Sequence, residues 1–150
     1  MCKKYRFFTK IIRNARLTGR GLVLTSDEGH LAKEELNISI YNDFSSTTIE
    51  TRFLKDRAPQ YLTGKYMSLA SHWTYWKGFY HWFFDVLPRL RVREKDRRII
   101  LREPVSSYER ESLQMLGLWD MCDFVTGDHL VIDDFQFISP SSYSGSYCPE

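Results

Sequence analysis

Cysteine is scarce. Cys2, Cys122 and Cys148 are the only three, they lie far apart, and none forms a Cys-x-x-Cys pair. That excludes a disulfide-built scaffold and a cysteine-rich zinc module, and it fits a reduced compartment. Cys122 stands among acids in Trp119-Asp120-Met121-Cys122-Asp123-Phe124, which raise a thiol pKa and disfavour a nucleophilic thiolate. Long apolar runs are missing too. No stretch approaches the roughly 18 consecutive apolar residues of a spanning helix, so no transmembrane segment is expected. The basic start, Met1-Cys2-Lys3-Lys4-Tyr5-Arg6, is followed only by Phe7-Phe8 and Ile11-Ile12, too little for a signal-peptide core. Glycine and proline are few, 8 and 5, with no collagen or low-complexity pattern. Gly-x-Gly-x-x-Gly, Gly-x-Ser-x-Gly and a glycine-rich phosphate loop are all absent. Neither charge sign dominates: 21 Lys and Arg against 19 Asp and Glu give +2, which counts against a general nucleic-acid binder. The four histidines, His30, His72, His81 and His129, lack ligand spacing, and Asp133-Asp134 reads as a strand-edge turn. No metal and no cofactor are expected.

Aromatics, by contrast, are abundant at 15%, within a hydrophobic fraction of 43%. A chain of 150 residues with this composition builds one domain around a core. The aromatic excess fits a thick core, or a cleft that stacks on flat ligand faces.

The first part of the chain reads as β. Runs at Gly21–Thr25, Asn37–Tyr41, Thr47–Leu54 and Lys65–Ala70 have strand character, and Ser26-Asp27-Glu28-Gly29 is a turn signal. After Ser71 the pattern changes. Phe79 to Leu90 has the strongest helical spacing, with Phe79, Phe83, Val86 and Leu90 on one side and Trp82 and Leu87 flanking. Pro88 should kink or end this helix. A strand–helix–strand unit follows: Arg98–Leu101, then a helix opened by the capping-box spacing of Ser106 and Glu109 and stopped near Gly117, then Phe124-Val125. Leu130–Ile132 and Phe135–Ile138 are the last strand candidates, and such alternation suggests parallel pairing.

Two constellations carry chemistry. His81 and Asp85, at i and i+4, lie on the helix face opposite the apolar one and can meet. A carboxylate beside an imidazole can orient it, or act as general base itself. The pair sits among Trp73, Tyr75, Trp76, Phe79, Tyr80, Trp82, Phe83 and Phe84. Much of this cluster is core, whereas Trp73, Tyr75 and Trp76 precede the helix and are better placed to line a cleft. The second constellation is the basic run Arg89, Arg91, Arg93, Lys95, Arg97, Arg98 and Arg102. It reads either as a solvated loop, softened by Glu94, Asp96 and Glu103, or as a contact for phosphate or an acidic sugar.

Gly78-Phe79-Tyr80-His81-Trp82-Phe83-Phe84-Asp85-Val86-Leu87-Pro88-Arg89-Leu90 resembles the N-terminal signature of glycosyltransferase family 61. The flanking runs Tyr61–Leu69, Glu111–Leu118 and Phe135–Pro140 look like the family's neighbouring elements, so the resemblance spans roughly residues 20 to 148. An Asn usually precedes the aromatic pair; Lys77-Gly78 stands there in this chain. The resemblance implies an α/β fold: the Rossmann-like N-terminal lobe of a two-lobed, GT-B-like glycosyltransferase, here with a β-rich start. The expected organisation is an N-terminal segment at 1–19, the lobe at 20–140, and a linker at 141–150 toward a second lobe that nothing in this chain matches.

The activity so implied is inverting, metal-independent transfer of a sugar from a nucleotide-sugar donor to a glycan acceptor, in polysaccharide biosynthesis. In it Asp85 is the base or base partner, His81 orients it or meets the acceptor, and Arg89, Trp76 and Tyr80 bind substrate. The chain is expected to be a truncated or split form, inactive by itself, that can require a separate second lobe. Its expected location is the cytoplasm, peripheral to the inner membrane in one variant, with no nucleic acid as partner. A non-catalytic carbohydrate-binding lobe, or an inactive fragment, is the alternative.

Overall fold

The computed structural model describes residues 9–18, 23–24, 58–70, 78–127 and 129–138. The strand candidates at 37–41 and 47–54 fall outside these residues.

Arg98-Ile99-Ile100-Leu101-Arg102 is three apolar residues between two cations, a pattern suited to a strand buried on both faces. It forms β4 (Arg98–Arg102). Around it a six-stranded sheet assembles from β1 (Thr9–Thr18), β2 (Val23–Leu24), β3 (Gln60–Ser68), β5 (Cys122–Val125) and β6 (His129–Ile138), in the order β2-β1-β6-β3-β4-β5. β6, β3, β4 and β5 run parallel, while β1 joins β6, and β2 joins β1, antiparallel. Helical crossovers join the parallel neighbours: a segment α1 at 79–92 between β3 and β4, and α2 (Ser107–Met115) between β4 and β5. The strand–helix–strand reading of 98–125 therefore describes the sheet correctly. α2 starts where the capping-box spacing put it, with the Ser106 amide donating to Glu109 Oε2 at 2.6 Å. It stops at Gly117, whose φ of +66° suits the glycine that closes a helix.

The two faces of the sheet bury different clusters. Met67, Leu69, Ile99, Leu101 and Ile138 face the helices, where Trp82, Val86 and Leu113 meet them. Ile12, Ala15, Leu17, Tyr66, Ile100, Val125, Leu130, Ile132, Phe135 and Phe137 form the second cluster.

That second cluster exists because the long strands bend. Along β6 the inward positions change parity, from Leu130 and Ile132 to Phe135 and Phe137, and along β1 from Ile12 to Ala15 and Leu17. The change falls on one line across three strands. Asn14 has φ +49°, Gly64 has φ +118°, and the β3–β6 register shifts between Leu62 and Lys65. The Gly64 amide donates to Asp133 Oδ2 at 3.4 Å on that line. Gly64 is required there by its dihedral rather than by crowding, since an added Cβ would meet only the Tyr66 ring edge, at 3.8 Å. The bend brings the start of β6 over the end of β4. Leu130, Ile100 and Val125 belong to one buried cluster, and Arg102 Nη1 donates to the Gly127 carbonyl beyond the end of β5.

Two expectations change accordingly. Asp133-Asp134 is not a strand-edge turn: β6 continues through it without a break, and Asp134 is buried between Arg97 and Arg13, each with a nitrogen 2.7 Å from its carboxylate. β1, within the segment 1–19 that was set apart, pairs with β6 from Thr9 to Thr18. The parity change at Asn14 hides the period-2 signal that identifies such a strand.

Candidate functional site

The α1 segment departs from an ordinary helix along most of its length. Phe79–His81 is an α-helical turn, Trp82–Val86 is π-helical, and Leu87–Val92 is 3-10. The π turn is closed by the Leu87 amide donating to the Trp82 carbonyl, an i→i+5 bond. The extra residue rotates the inward face. On a regular wheel Phe83 points inward and Trp82 flanks; in the structure Trp82 is fully buried, while Phe83 and Leu90 are half-buried against the same core and Val86 is inside as expected. Trp82 Nε1 donates to Ser112 Oγ on α2 at 2.9 Å, so the indole ties the irregular segment to the regular helix. Pro88, without an amide, lies where the geometry tightens to 3-10.

His81 and Asp85 do share a face. Nδ1 of His81 lies 2.6 Å from Oδ2 of Asp85. Asp85 is the inner member, with 9% of its side chain exposed against 31% for His81. This differs from the solvent-facing pair of the helical wheel, because Asp85 is buried within the π turn. A carboxylate only accepts, so Nδ1 carries the hydrogen of this bond and Nε2 is the accepting nitrogen of that tautomer. Arg89 is buried as well, and its Nε donates to the Asp85 carbonyl at 3.3 Å, a carbonyl close to the point where Pro88 supplies no amide.

One ring stands against the pair and others continue outward from it. Tyr80 stands edge-on to the His81 ring at 5.5 Å and stacks with Phe84 at 4.7 Å; Phe79, Tyr80 and Phe84 are exposed. Phe79 and Phe83 reach Tyr108 in the first turn of α2. Trp76, with Trp73 and Tyr75, lies outside the described residues.

The basic run divides: Arg91 and Lys95 are exposed, whereas Arg93, Arg97 and Arg98 are engaged within the protein. Arg97 is buried, with Nε on Glu94 and Nη1 on both the Asp134 carboxylate and its backbone carbonyl. Arg98 grips Asp123 with two nitrogens, at 2.7 and 2.5 Å, and Arg93 donates to the carbonyls of Glu94, Lys95 and Arg97. Hydrogen bonding from Arg98 holds the Asp123 carboxyl below its usual range, despite partial burial, and burial followed by Asp123 raises the Tyr66 hydroxyl. Burial, helped by Asp123, pushes the Cys122 thiol up to about 11. The guanidinium groups thus fasten the entry of β4 to β5 and β6. Sequence spacing could not show the ties to the other strands, because Asp123 lies 25 residues from Arg98 and Asp134 lies 37 residues from Arg97.

Sequence reading also missed Ser112 and Asp134, whose partners come from distant elements. The capping box was the available signal for the register of α2, and hence for the inward side on which Ser112 falls. Among the described residues no three His, Cys, Asp or Glu side chains gather as metal ligands, and no helix is long and apolar enough to cross a membrane. No family model, no curated protein and no solved structure matches this chain.

Proposed function

We propose that this chain is the acceptor-side lobe of a family 61-like glycosyltransferase, and that His81 and Asp85 form its proton-accepting pair. The observation that carries the reading is the 2.6 Å contact between His81 Nδ1 and the more deeply buried Asp85 carboxylate. The order of burial supports one division of roles. His81, the outer group, takes the proton of the acceptor hydroxyl on Nε2 as that oxygen attacks the anomeric carbon with inversion. Asp85 fixes the ring's tautomer and balances the imidazolium that forms. Arg89, buried against the Asp85 backbone, is a positioning residue in this scheme, and Tyr80 with Phe84 offers ring faces to the acceptor sugar. A departing nucleotide diphosphate needs amide or cationic donors. No glycine-rich loop for it is found in the sequence, so transfer is expected only with a donor-binding lobe present, on the cytoplasmic side where we place the reaction.

The exposed rings of Phe79, Tyr80 and Phe84 favour a second reading, a carbohydrate-binding lobe without chemistry. One experiment separates the two. Nucleotide sugars and a glycan acceptor array are offered to the lobe together with a donor-binding lobe, for wild type, Asp85→Asn and His81→Gln. Transfer that falls by about 10²-fold or more in both variants, at unchanged fold, supports the pair. Glycan binding without transfer, undiminished by Asp85→Asn, supports the second reading.

A further inference from the structure

An open groove of about 620 Å³ lies at the carboxyl ends of β4 and β5, lined by Glu103, Pro104, Val105, Arg110, Trp119, Phe124 and Thr126. Its position is physically meaningful. In open parallel sheets ligands settle outside the carboxyl ends of the strands, where the crossover loops leave a crevice. Its size falls within the roughly 300–1,000 Å³ of small-molecule sites. It is also distinct from the His81–Asp85 pair. Tyr108 of α2 faces α1, where it meets Phe79 and Phe83. Arg110, about 200° further round the same helix, faces the groove.

The walls have a definite chemistry. Trp119 and Phe124 meet at 5.0 Å with their planes tilted by 50°, and the Arg110 guanidinium lies 5.5 Å from the Trp119 ring centroid. Phe124 is 40% exposed, large for a ring in a strand. Glu103 offers an acceptor, Arg110 donors, and Thr126 a hydroxyl that does both.

We infer that this groove is a pyranose-binding subsite, in which Trp119 and Phe124 take the apolar face of a sugar ring while Arg110, Glu103 and Thr126 serve its hydroxyls. The inference deepens the functional reading above and rests on it for the ligand being a glycan. Three features select a sugar over a nucleotide. Rings tilted by 50° make no parallel slot for a planar base. The Glu103 carboxylate opposes a phosphate, and one cation balanced by one acid leaves the groove near neutral. Mixed donors and acceptors beside an apolar wall match the two sides of a pyranose.

The test is binding of the chain to an array of unphosphorylated hexose and hexosamine oligosaccharides, then titration of the best binder, with uridine monophosphate as the competing probe. Phe124→Ala and Arg110→Ala alter exposed side chains and should fold normally. Each is expected to weaken glycan binding by about tenfold, the equivalent of 1.4 kcal/mol. Trp119→Ala should weaken it further, and the bound glycan should change the indole fluorescence. No binder on the array, binding unaffected by Phe124→Ala and Arg110→Ala, or uridine monophosphate displacing the glycan would each overturn the subsite. Failure of the functional reading looks different: groove variants would lose the glycan while no transfer appears with any donor lobe.

Discussion

The two crossovers of the parallel sheet are built in opposite ways. The β4–α2–β5 unit obeys local rules throughout: an apolar strand, a Glu109 cap, a regular helix and a glycine stop at φ +66°. The 79–92 crossover obeys few of them, with three helical geometries in succession, a buried acid, a buried arginine and three exposed aromatic rings. Local rules are broken where something other than stability is selected, and π turns in particular gather at functional sites. The regular unit is the scaffold. The irregular segment spends local order to bury Trp82 and Asp85 on its inner side.

The largest effect should come from Trp82, where the two regions join. Trp82→Ala removes a fully buried indole and its bond to Ser112, and should cost about 3–5 kcal/mol in denaturant unfolding. Trp82→Phe keeps most of the volume and should cost about 1 kcal/mol, the worth of one hydrogen bond. If the alanine variant unfolds at the wild-type denaturant midpoint, the segment is not anchored as described.

Asp134→Ala tests the scaffold side. It leaves Arg97 buried without its innermost carboxylate, and about 3 kcal/mol should be lost. Loss within a few tenths would mean that Glu94 and solvent serve Arg97 equally well.

Much of the scaffold was legible in the sequence, and the reason is that its signals are local. Ser106 and Glu109 marked the start of α2, Gly117 its end, and Ile99-Ile100-Leu101 a strand. The His81–Asp85 contact was legible too, because residues four apart meet in an α turn and still meet in the wider π turn. The inward side of that segment was not legible. A wheel of fixed pitch points Phe83 inward, and no residue type announces the extra residue that swings Trp82 there instead. β1 and the continuity of β6 were hidden by the bend at Asn14, Gly64 and Asp133, which breaks the alternation that sequence reading depends on. The Asp134 and Asp123 partners of Arg97 and Arg98 were hidden by sequence distance.

Two smaller effects sharpen the contrast. Glu109→Ala should cost about 1 kcal/mol through the lost cap, and amide exchange should rise in the first turn of α2 while the 79–92 segment stays protected. Alkali should loosen the regular unit through Cys122. The folded thiol ionises near 11 and the unfolded one near its ordinary 9.0, so above about pH 9 the unfolded chain binds fewer protons and stability falls as pH rises toward 11. Cys122→Ala should flatten the stability–pH slope in that window, and a slope unchanged by the substitution would remove the thiol from it.

The most direct measurement is the tautomer of His81, read from the ¹⁵N shifts of its ring at a pH well above the ordinary imidazole range. Asp85 accepting from Nδ1 requires the hydrogen on Nδ1 and the lone pair on Nε2. The wild-type ring should therefore show a protonated Nδ1 and an unprotonated Nε2, and Asp85→Asn should disturb that balance. A ring protonated on Nε2 in the wild type, or shifts identical in Asp85→Asn, would contradict the pairing and with it the proton-accepting role.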